Sequence, residues 1–75
     1  MEADISIDTK GMKCPLPILK AKMALREMSS GQLLFVEATD VGSVADFKSF
    51  CETTGHELIS SESGNDVYTY MIRKQ

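Results

Sequence analysis

The sequence has no long apolar run and no excess of basic residues, and each absence excludes a class of protein. None of its apolar stretches approaches the roughly 20 residues that a membrane-spanning helix needs, so no transmembrane segment is expected. Eight basic against eleven acidic residues give a net charge of −3, which argues against nucleic acid as the main ligand, because phosphate binding needs a basic surface. The acidic start, MEADISID, lacks a signal-peptide pattern, so the cytoplasm is the expected location.

Cysteine and histidine are also scarce, with only Cys14, Cys51 and His56 in the chain. The two cysteines lie 37 positions apart, and a structural disulfide is not expected where thiols are kept reduced. Two cysteines and one histidine without close spacing do not match a structural zinc site, which usually has four ligands in paired clusters. We therefore expect neither a metal nor a cofactor.

The length of 75 residues predicts one domain, residues 1–75. A domain of this size buries only about 60% of the surface that its unfolded chain exposes, so its core is thin and leaves no room for a deep catalytic cleft. Any chemistry is therefore expected at the surface, or in a site that a partner completes. The small size and the absence of heptads favour a monomer.

The first half of the chain predicts a strand, a helix and a second strand. Alternating polar and apolar residues in DISID, residues 4–8, are typical of a short strand. From Pro15 the apolar period becomes helical, and Gly31 can take the left-handed conformation that ends helices. The apolar, β-prone segment 32–38 predicts the next strand. The core-facing residues expected on the helix are Ile18, Leu19, Ala21, Met23, Leu25 and Met28.

The second half predicts another helix and a hairpin. Ser43 is the expected N-cap of a helix that Gly55 ends, with Asp46 in a near-capping-box position. Segments 56–63 and 67–74 predict two strands around the short turn GND, which makes them an antiparallel hairpin. The apolar stripe expected on this helix comprises Val44, Phe47, Cys51 and Thr54.

The predicted element order is β-α-β-α-β-β. A strand–helix–strand unit usually pairs its strands in parallel through a right-handed crossover, so one parallel pair and one hairpin form a mixed four-stranded sheet. With so few residues, both helices are expected on one face of the sheet. The predicted fold is therefore a two-layer α/β sandwich of the α+β class.

The stretch GMKCPLPILKAKM, residues 11–23, places a cysteine directly before two prolines at a helix start. With Cys14 as the N-cap, Pro15 takes the first helical position and Pro17 stays in the first turn, where a missing N–H loses no intrahelical hydrogen bond. The prolines then hold the thiol at the positive end of the helix dipole, and Lys13 adds positive charge. These effects predict an exposed, nucleophilic thiolate with a pKa below about 8.5.

A second interpretation of Cys14 is an inert, buried thiol, which is the common state of a free cysteine in a cytosolic domain. Its position between a lysine and a proline, outside any apolar stripe, favours reactivity instead. Cys51 lies on the apolar stripe of the second helix and is expected in the core. His56 has no evident partner and is expected at the surface rather than as a base.

The segment GMKCPLPILKAKMALREM resembles the TusA/SirA-like sulfur carriers, whose mark is a C-P-x-P element opening the first helix of a small β-α-β-α-β-β domain. Here that element is Cys14-Pro15-Leu16-Pro17, and the resemblance continues through SSGQLLFVEATDVGSVADFKSFCETTGHEL and YTYMIRK. It implies that Cys14 carries sulfane sulfur as a persulfide, with Lys13, Pro15 and Pro17 as supporting residues of the motif.

The resemblance also implies partners. The sulfur would come from a cysteine desulfurase or a rhodanese-type donor and pass to a cysteine of another protein, often a DsrE-like one. Known destinations of such relays are tRNA thiolation, molybdenum cofactor assembly and dissimilatory sulfur metabolism. No direct contact with nucleic acid or membrane is expected, because the chain is acidic and lacks a spanning segment.

Partner binding in this family can involve an acidic residue in the loop after the second strand, a position that Asp40 matches. Many members have Asp-Pro-Gly or Asp-Pro-Ala there, whereas this chain has valine after Asp40. Arginine is common at the position of Lys13, and lysine keeps the charge but lacks the planar fork that grips carboxylates. A solvated helix face is the alternative for Lys20. The docking residues expected around the cysteine are Met12, Lys13, Leu16 and Lys20.

The predicted function is that of a sulfurtransferase acting with partner enzymes. A thiolate attacks the terminal sulfur of a donor persulfide, and an acceptor thiolate later removes that sulfur. Two other functions stay open. The first is a regulatory or protein-binding module without redox chemistry, in which Cys14→Ser keeps the function. The second is a nucleic-acid-binding domain, because the two-layer fold resembles the C-terminal domain of a translation initiation factor, although the charge and the lack of a basic-aromatic strand weigh against it.

Overall fold

The computed structural model describes residues 2–75, and its elements follow the predicted order. They are β1 (Ile5–Thr9), α1 (Leu16–Arg26), β2 (Leu33–Ala38), α2 (Ser43–Thr54), β3 (Glu57–Gly64) and β4 (Val67–Arg73). The four strands form one sheet in the order β1-β2-β4-β3. β1 pairs with β2 in parallel, and β4 pairs antiparallel with both β2 and β3. The predicted mixed sheet is therefore confirmed.

Both helices pack on one face of this sheet. α1 contacts β1 and β2, α2 contacts β3 and β4, and the two helices contact each other. Side chains of β2 alternate, and those of Leu34, Val36 and Ala38 are fully buried beneath the helices. Phe47 of α2 stacks on Tyr70 of β4, with ring centroids 4.4 Å apart. These contacts confirm the predicted two-layer sandwich, whose single core lies between the helices and the sheet.

The buried stripe of α1 is narrower than predicted. Ala21 and Leu25 are buried and Ile18 is half-buried, but Leu19 is 49% exposed and Met23 is 56% exposed. At about 100° of rotation per residue, Leu19 and Met23 lie on the side of the helix opposite Ala21 and Leu25. The predicted wide core face is therefore wrong, and α1 presents an apolar surface away from the sheet.

α1 ends earlier than predicted. Its last residue is Arg26, and the N–H of Glu27 donates to the carbonyl of Ala24 at 3.1 Å. Gly31 does have a positive φ of 89°, but it lies in the loop before β2. Its N–H donates to the carbonyl of Lys74 at 2.8 Å, so this loop is tied to the end of β4 rather than to the helix.

The start of α2 also differs from the prediction. Gly42 is the N-cap, without a side-chain capping bond, and Ser43 is the first helical residue. Ser43 is 1% exposed, and its hydroxyl is 2.6 Å from that of Tyr70. The serine oxygen is therefore engaged in the core and does not cap the helix. Val44 is 44% exposed, so Ser43 occupies the buried stripe beside Phe47 and Cys51 in its place.

The hairpin and the end of α2 match the prediction. Gly55 ends α2 with a φ of 83°, and its N–H donates to the carbonyl of Cys51 at 2.9 Å. Asn65 and Asp66 have φ values of 52° and 64°, the pair of positive angles that a tight type I′ turn requires. No helix within residues 2–75 is long and apolar enough to cross a membrane.

Candidate functional site

Cys14 lies in the loop directly before α1, and its side chain is exposed. The helix begins later than predicted, because Leu16 is its first residue and Pro15 is the N-cap. The N–H of Leu16 donates to the carbonyl of Lys13 at 2.9 Å, which closes a turn around Cys14 and delays the helix start. The prediction of an exposed thiol at the start of α1 is confirmed, whereas the N-cap position of Cys14 is wrong by one residue.

The two prolines sit differently at this junction. Pro15 is exposed, and its carbonyl accepts the N–H of Leu19 at 3.0 Å, the first hydrogen bond of α1. Pro17 is buried in the first turn, where its missing N–H has no intrahelical partner to lose. Pro17 therefore packs the start of α1 against the core, and the exposed Pro15 lies between the helix and Cys14.

The electrostatic surroundings of Cys14 contradict the predicted thiolate. A hydrogen bond to the carboxylate of Asp46 is the largest cause that raises the pKa of Cys14 above its ordinary value. Desolvation and the negative charges of Asp46 and Asp40 raise it further. Ionisation of the thiol would place a second negative charge beside the carboxylate, so the protonated form is favoured. The predicted lowering of this pKa is wrong because α2 brings an acidic side chain to the sulfur.

Lys22 of α1 lines the groove with Cys14, but desolvation and the two carboxylates determine the direction of the thiol's pKa shift. The ammonium group of Lys10 lies 3.2 Å from Asp8 and 3.4 Å from Glu37, so it belongs to an ion-pair cluster at the ends of β1 and β2. Lys13, the neighbour of Cys14 in the chain, is exposed. An exposed lysine is strongly screened by solvent and contributes little at a distance.

A groove of about 410 Å³ lies between α1 and α2, and Cys14 is part of its lining. The thiol therefore faces a concave surface that a partner's side chains can enter. α1 contributes one apolar and one basic residue to the wall, and α2 contributes an acidic residue, an aromatic ring and three hydroxyl groups. The lining residues on these helices are Ile18, Lys22, Asp46, Ser49, Phe50, Thr53 and Thr54.

A second hollow, of about 330 Å³, brings together three of the predicted docking residues. Met12, Lys13 and Asp40 line it with Gly11, whose N–H donates to the hydroxyl of Thr39 at 2.9 Å. That bond fixes the loop before α1 against the loop after β2. The structure does not place the other two predicted docking residues, Leu16 and Lys20, in this hollow; both are exposed on α1.

Asp40 and Asp46 converge on the start of α2. A Cβ atom added at Gly42 would lie 3.3 Å from Oδ2 of Asp40 and 4.0 Å from Oδ2 of Asp46. Oδ2 of Asp40 is buried and has no hydrogen-bond partner among the described residues. Two carboxylates therefore flank this glycine, close to the thiol whose ionisation they oppose.

Sequence reasoning missed Asp46 as a neighbour of Cys14 and treated it as part of a helix cap. One available signal was the topology, because α1 and α2 each follow a strand of the parallel pair β1–β2. Helices that follow parallel strands begin at the same edge of the sheet, where functional groups of open α/β sheets gather. The first turn of α2 was therefore a place to search for partners of Cys14.

The candidate site is thus an exposed thiol at the start of α1 in a small two-layer α+β domain. The family model of the sulfurtransferase TusA matches residues 5–74. The chain therefore belongs to the TusA family.

Individual relatives agree with this assignment. The chain is 49% identical over 71 residues to sulfur carrier protein TusA of Allochromatium vinosum, which covers 95% of this chain and 93% of that protein. It is 38% identical over 74 residues to putative sulfur carrier protein YrkF of Bacillus subtilis, which covers 99% of this chain but 40% of that protein. The domain therefore also occurs as part of a longer chain.

The fold agrees as well. The crystal structure of a SirA-like protein from Desulfitobacterium hafniense superposes with a TM-score of 0.81 at 30% sequence identity, covering 92% of this chain and 95% of that one. Membership in a family of sulfur carriers means that the protein interacts with a sulfur donor and a sulfur acceptor.

Proposed function

We propose that this protein is a sulfur carrier that holds sulfane sulfur as a persulfide on Cys14 and passes it to a thiol of an acceptor protein. The observation that carries the proposal is the contrast between the two cysteines. Cys14 is exposed at the groove between the helices, whereas Cys51 is 4% exposed and burial raises its pKa to about 11. Cys14 is therefore the cysteine that a partner can reach.

The transfer consists of two displacements at sulfur. In loading, the sulfur of Cys14 attacks the terminal sulfur of the donor persulfide, the donor's S–S bond breaks, and the donor cysteine leaves as a thiolate. In unloading, an acceptor thiolate attacks the outer sulfur and Cys14 leaves. A raised pKa makes Cys14 a poorer leaving group and keeps it protonated at rest. Both steps therefore require help from the surroundings of the sulfur, in this chain or in a docked partner.

The proposed docking surface surrounds Cys14 on two sides. Met12, Lys13 and Asp40 form one side as the lining of the second hollow. Leu16 forms the other, and with the exposed side chains of Leu19 and Met23 it makes an apolar patch on α1. Apolar surface of this kind favours contact with another protein. Lys20, exposed on the same helix, adds a positive charge to this side.

We further propose a cysteine desulfurase or a rhodanese-type protein as the donor and a DsrE-like protein as an acceptor. The proposed destinations of the sulfur are tRNA thiolation, molybdenum cofactor assembly and sulfur metabolism. The cytoplasm is the proposed location, because both cysteines are free thiols and that compartment keeps thiols reduced. Residues 1–75 are proposed to act as one domain.

Intact-mass spectrometry tests the proposal. The protein is incubated with a cysteine desulfurase and cysteine, and in parallel with a rhodanese and thiosulfate, next to the Cys14→Ser and Cys51→Ser variants. We expect a gain of one sulfur atom in the wild type and in Cys51→Ser, and none in Cys14→Ser. A wild type that takes no sulfur from either donor contradicts the proposal, and a protein-binding module without sulfur chemistry then becomes the better account.

A further inference from the structure

The thiol of Cys14 is flanked by acidic groups that belong to other elements of the fold. Asp46 of α2 lines the same groove as the thiol, and it is the largest influence that raises the pKa of Cys14. Asp40, in the loop after β2, raises that pKa further through its charge. Lys22 of α1 lines the same groove, and Lys13 precedes the cysteine in the chain. Of the two carboxylates, Asp46 is the one that lines the groove together with Cys14.

The position of Asp46 is well fixed. It lies in the first turn of α2, where the helix dipole stabilises a carboxylate, and its N–H donates to the carbonyl of Gly42 at 3.1 Å. On the same helix, Ser43 bonds to the hydroxyl of Tyr70 at 2.6 Å, and the ring of Phe47 stacks on the tyrosine ring. These buried contacts on either side of Asp46 hold its turn against the sheet. The half-buried side chain of Asp46 thus belongs to a turn of fixed position beside the groove that Cys14 lines.

We propose that Asp46 is the proton acceptor for Cys14: its carboxylate shares the groove with the thiol in the empty carrier and receives the proton when the sulfur attacks a donor persulfide. This inference rests on the proposed function. As the new S–S bond forms between Cys14 and the terminal sulfur of the donor, the old S–S bond breaks and its electron pair leaves with the donor cysteine. The proton passes from Cys14 to Asp46 and then to the departing thiolate, so nothing is oxidised or reduced overall.

The same carboxylate also protects the empty carrier. A thiolate, rather than a thiol, is the form that oxidants and other electrophiles attack. An exposed cysteine that stays protonated until a persulfide arrives is therefore less open to side reactions. Asp40 adds to this effect through its charge, without a hydrogen bond to the sulfur.

The first test is the pH dependence of Cys14 alkylation by iodoacetamide, with Cys14→Ser as the background. Asp46→Asn removes the charge at nearly constant shape, and Glu52→Gln removes the same charge from an exposed position on α2. A neighbouring negative charge raises the pKa of a thiol, so we expect the alkylation midpoint to move to lower pH in Asp46→Asn. The midpoint should stay unchanged in Glu52→Gln and remain close to that of the wild type in Asp46→Glu.

The second test is the rate of sulfur loading from a persulfidated cysteine desulfurase at pH 7. Alkylation needs no proton acceptor at Asp46, so the ratio of loading rate to alkylation rate isolates the proton transfer. We expect this ratio to fall at least about tenfold in Asp46→Asn, because a positioned proton acceptor contributes about 100-fold or more, and to recover largely in Asp46→Glu. Circular dichroism checks folding, and Asp46→Ser, which also removes the charge, replaces the asparagine variant if that variant unfolds.

The outcomes separate the two proposals. An unchanged midpoint or an unchanged ratio in a folded Asp46 variant overturns the role of Asp46 and leaves the carrier function standing. A wild type that accepts no sulfur overturns the carrier function and this inference together. A lower midpoint with a lower ratio, confined to the variants that lack the carboxylate, supports both.

Discussion

The buried hydrogen bond between Ser43 and Tyr70 ties the start of α2 to the centre of the sheet, and its loss is expected to destabilise the protein. The two hydroxyl oxygens are 2.6 Å apart, and the residues are 1% and 0% exposed. Tyr70→Phe leaves the serine hydroxyl buried without its partner, and Ser43→Ala does the same to the tyrosine hydroxyl. An orphaned buried polar group costs about 1–3 kcal/mol, so each single variant should lose about that much.

The double variant distinguishes this mechanism from simple loss of packing. With both hydroxyls removed, no buried polar group is left without a partner. The double variant should therefore lose less free energy of unfolding than the two single variants lose in sum. Urea unfolding followed by circular dichroism measures these free energies, provided that the slope with urea is the same in all variants. In a domain of this size, 1 kcal/mol corresponds to a change in Tm of about 4–8 °C, so thermal unfolding gives a second reading.

Matched controls lie on the same two elements. Ser49→Ala changes an exposed serine of α2, and Tyr68→Phe changes a half-buried tyrosine of β4. We expect each control to change stability by less than about 0.5 kcal/mol, because Ser49→Ala is a surface substitution and Tyr68→Phe keeps the ring that packs against the core. If Tyr70→Phe and Ser43→Ala also stay within that range, or if their effects simply add in the double variant, the bond between the two hydroxyls does not stabilise the fold in this way.

Three further predictions follow from single contacts. At neutral pH, iodoacetamide should label Cys14 alone. Cys51 should react only after unfolding, because burial raises the pKa of its thiol to about 11. Peptide mapping checks the labelled positions, and labelling of Cys51 in the native protein contradicts the prediction. Nδ1 of His56 accepts the N–H of Gln75 at 3.0 Å, and desolvation lowers the histidine pKa. The contribution of His56 to stability is therefore full above about pH 6.5 and lost as the pH falls through the lowered pKa. Urea unfolding should show a lower free energy of unfolding at pH 5 than at pH 8, and His56→Gln should reduce this difference. An equal difference in both proteins argues against the contact. Phe47→Ala should cost about 3–5 kcal/mol, because it empties a fully buried site, and unfolding curves near those of the wild type would disprove its central place in the core.

The element order was predictable because it depends on local patterns. Alternation in β1, the helical period after Pro15, and the Gly64–Asp66 turn each act within a few residues, and the structure reproduces all of them. Which side of a helix faces the core is a less local property. Leu19 and Met23 are apolar, yet they lie opposite the buried stripe, so composition alone places them in the core while helical geometry places them outside.

Competition between local and tertiary bonds explains the error at Ser43. A serine before an apolar helical pattern is a good N-cap by local rules. In the fold, its hydroxyl instead meets Tyr70, which lies 27 positions away in the chain. A local rule cannot weigh a partner that appears only after the sheet has formed.

The candidate site, too, was predictable only where it depends on local sequence. The exposure of Cys14 at a helix start follows from the prolines and was predictable. The sign of its pKa shift depends on Asp46, which stands 32 positions later and approaches only because α1 and α2 begin at the same edge of the sheet. The dipole of α1 is only one influence on the sulfur, because α2 also borders the groove that Cys14 lines.

Mapping the sulfur before and after transfer shows whether Cys14 both receives and releases it. The protein is loaded by a desulfurase with isotopically labelled cysteine sulfur, purified from the donor, and mixed with a DsrE-like acceptor. Tandem mass spectrometry of the peptides should first find the label on Cys14 and then find it lost from Cys14 and gained by an acceptor cysteine. Label that appears on Cys51, or that reaches the acceptor equally well from the Cys14→Ser variant, would contradict the account.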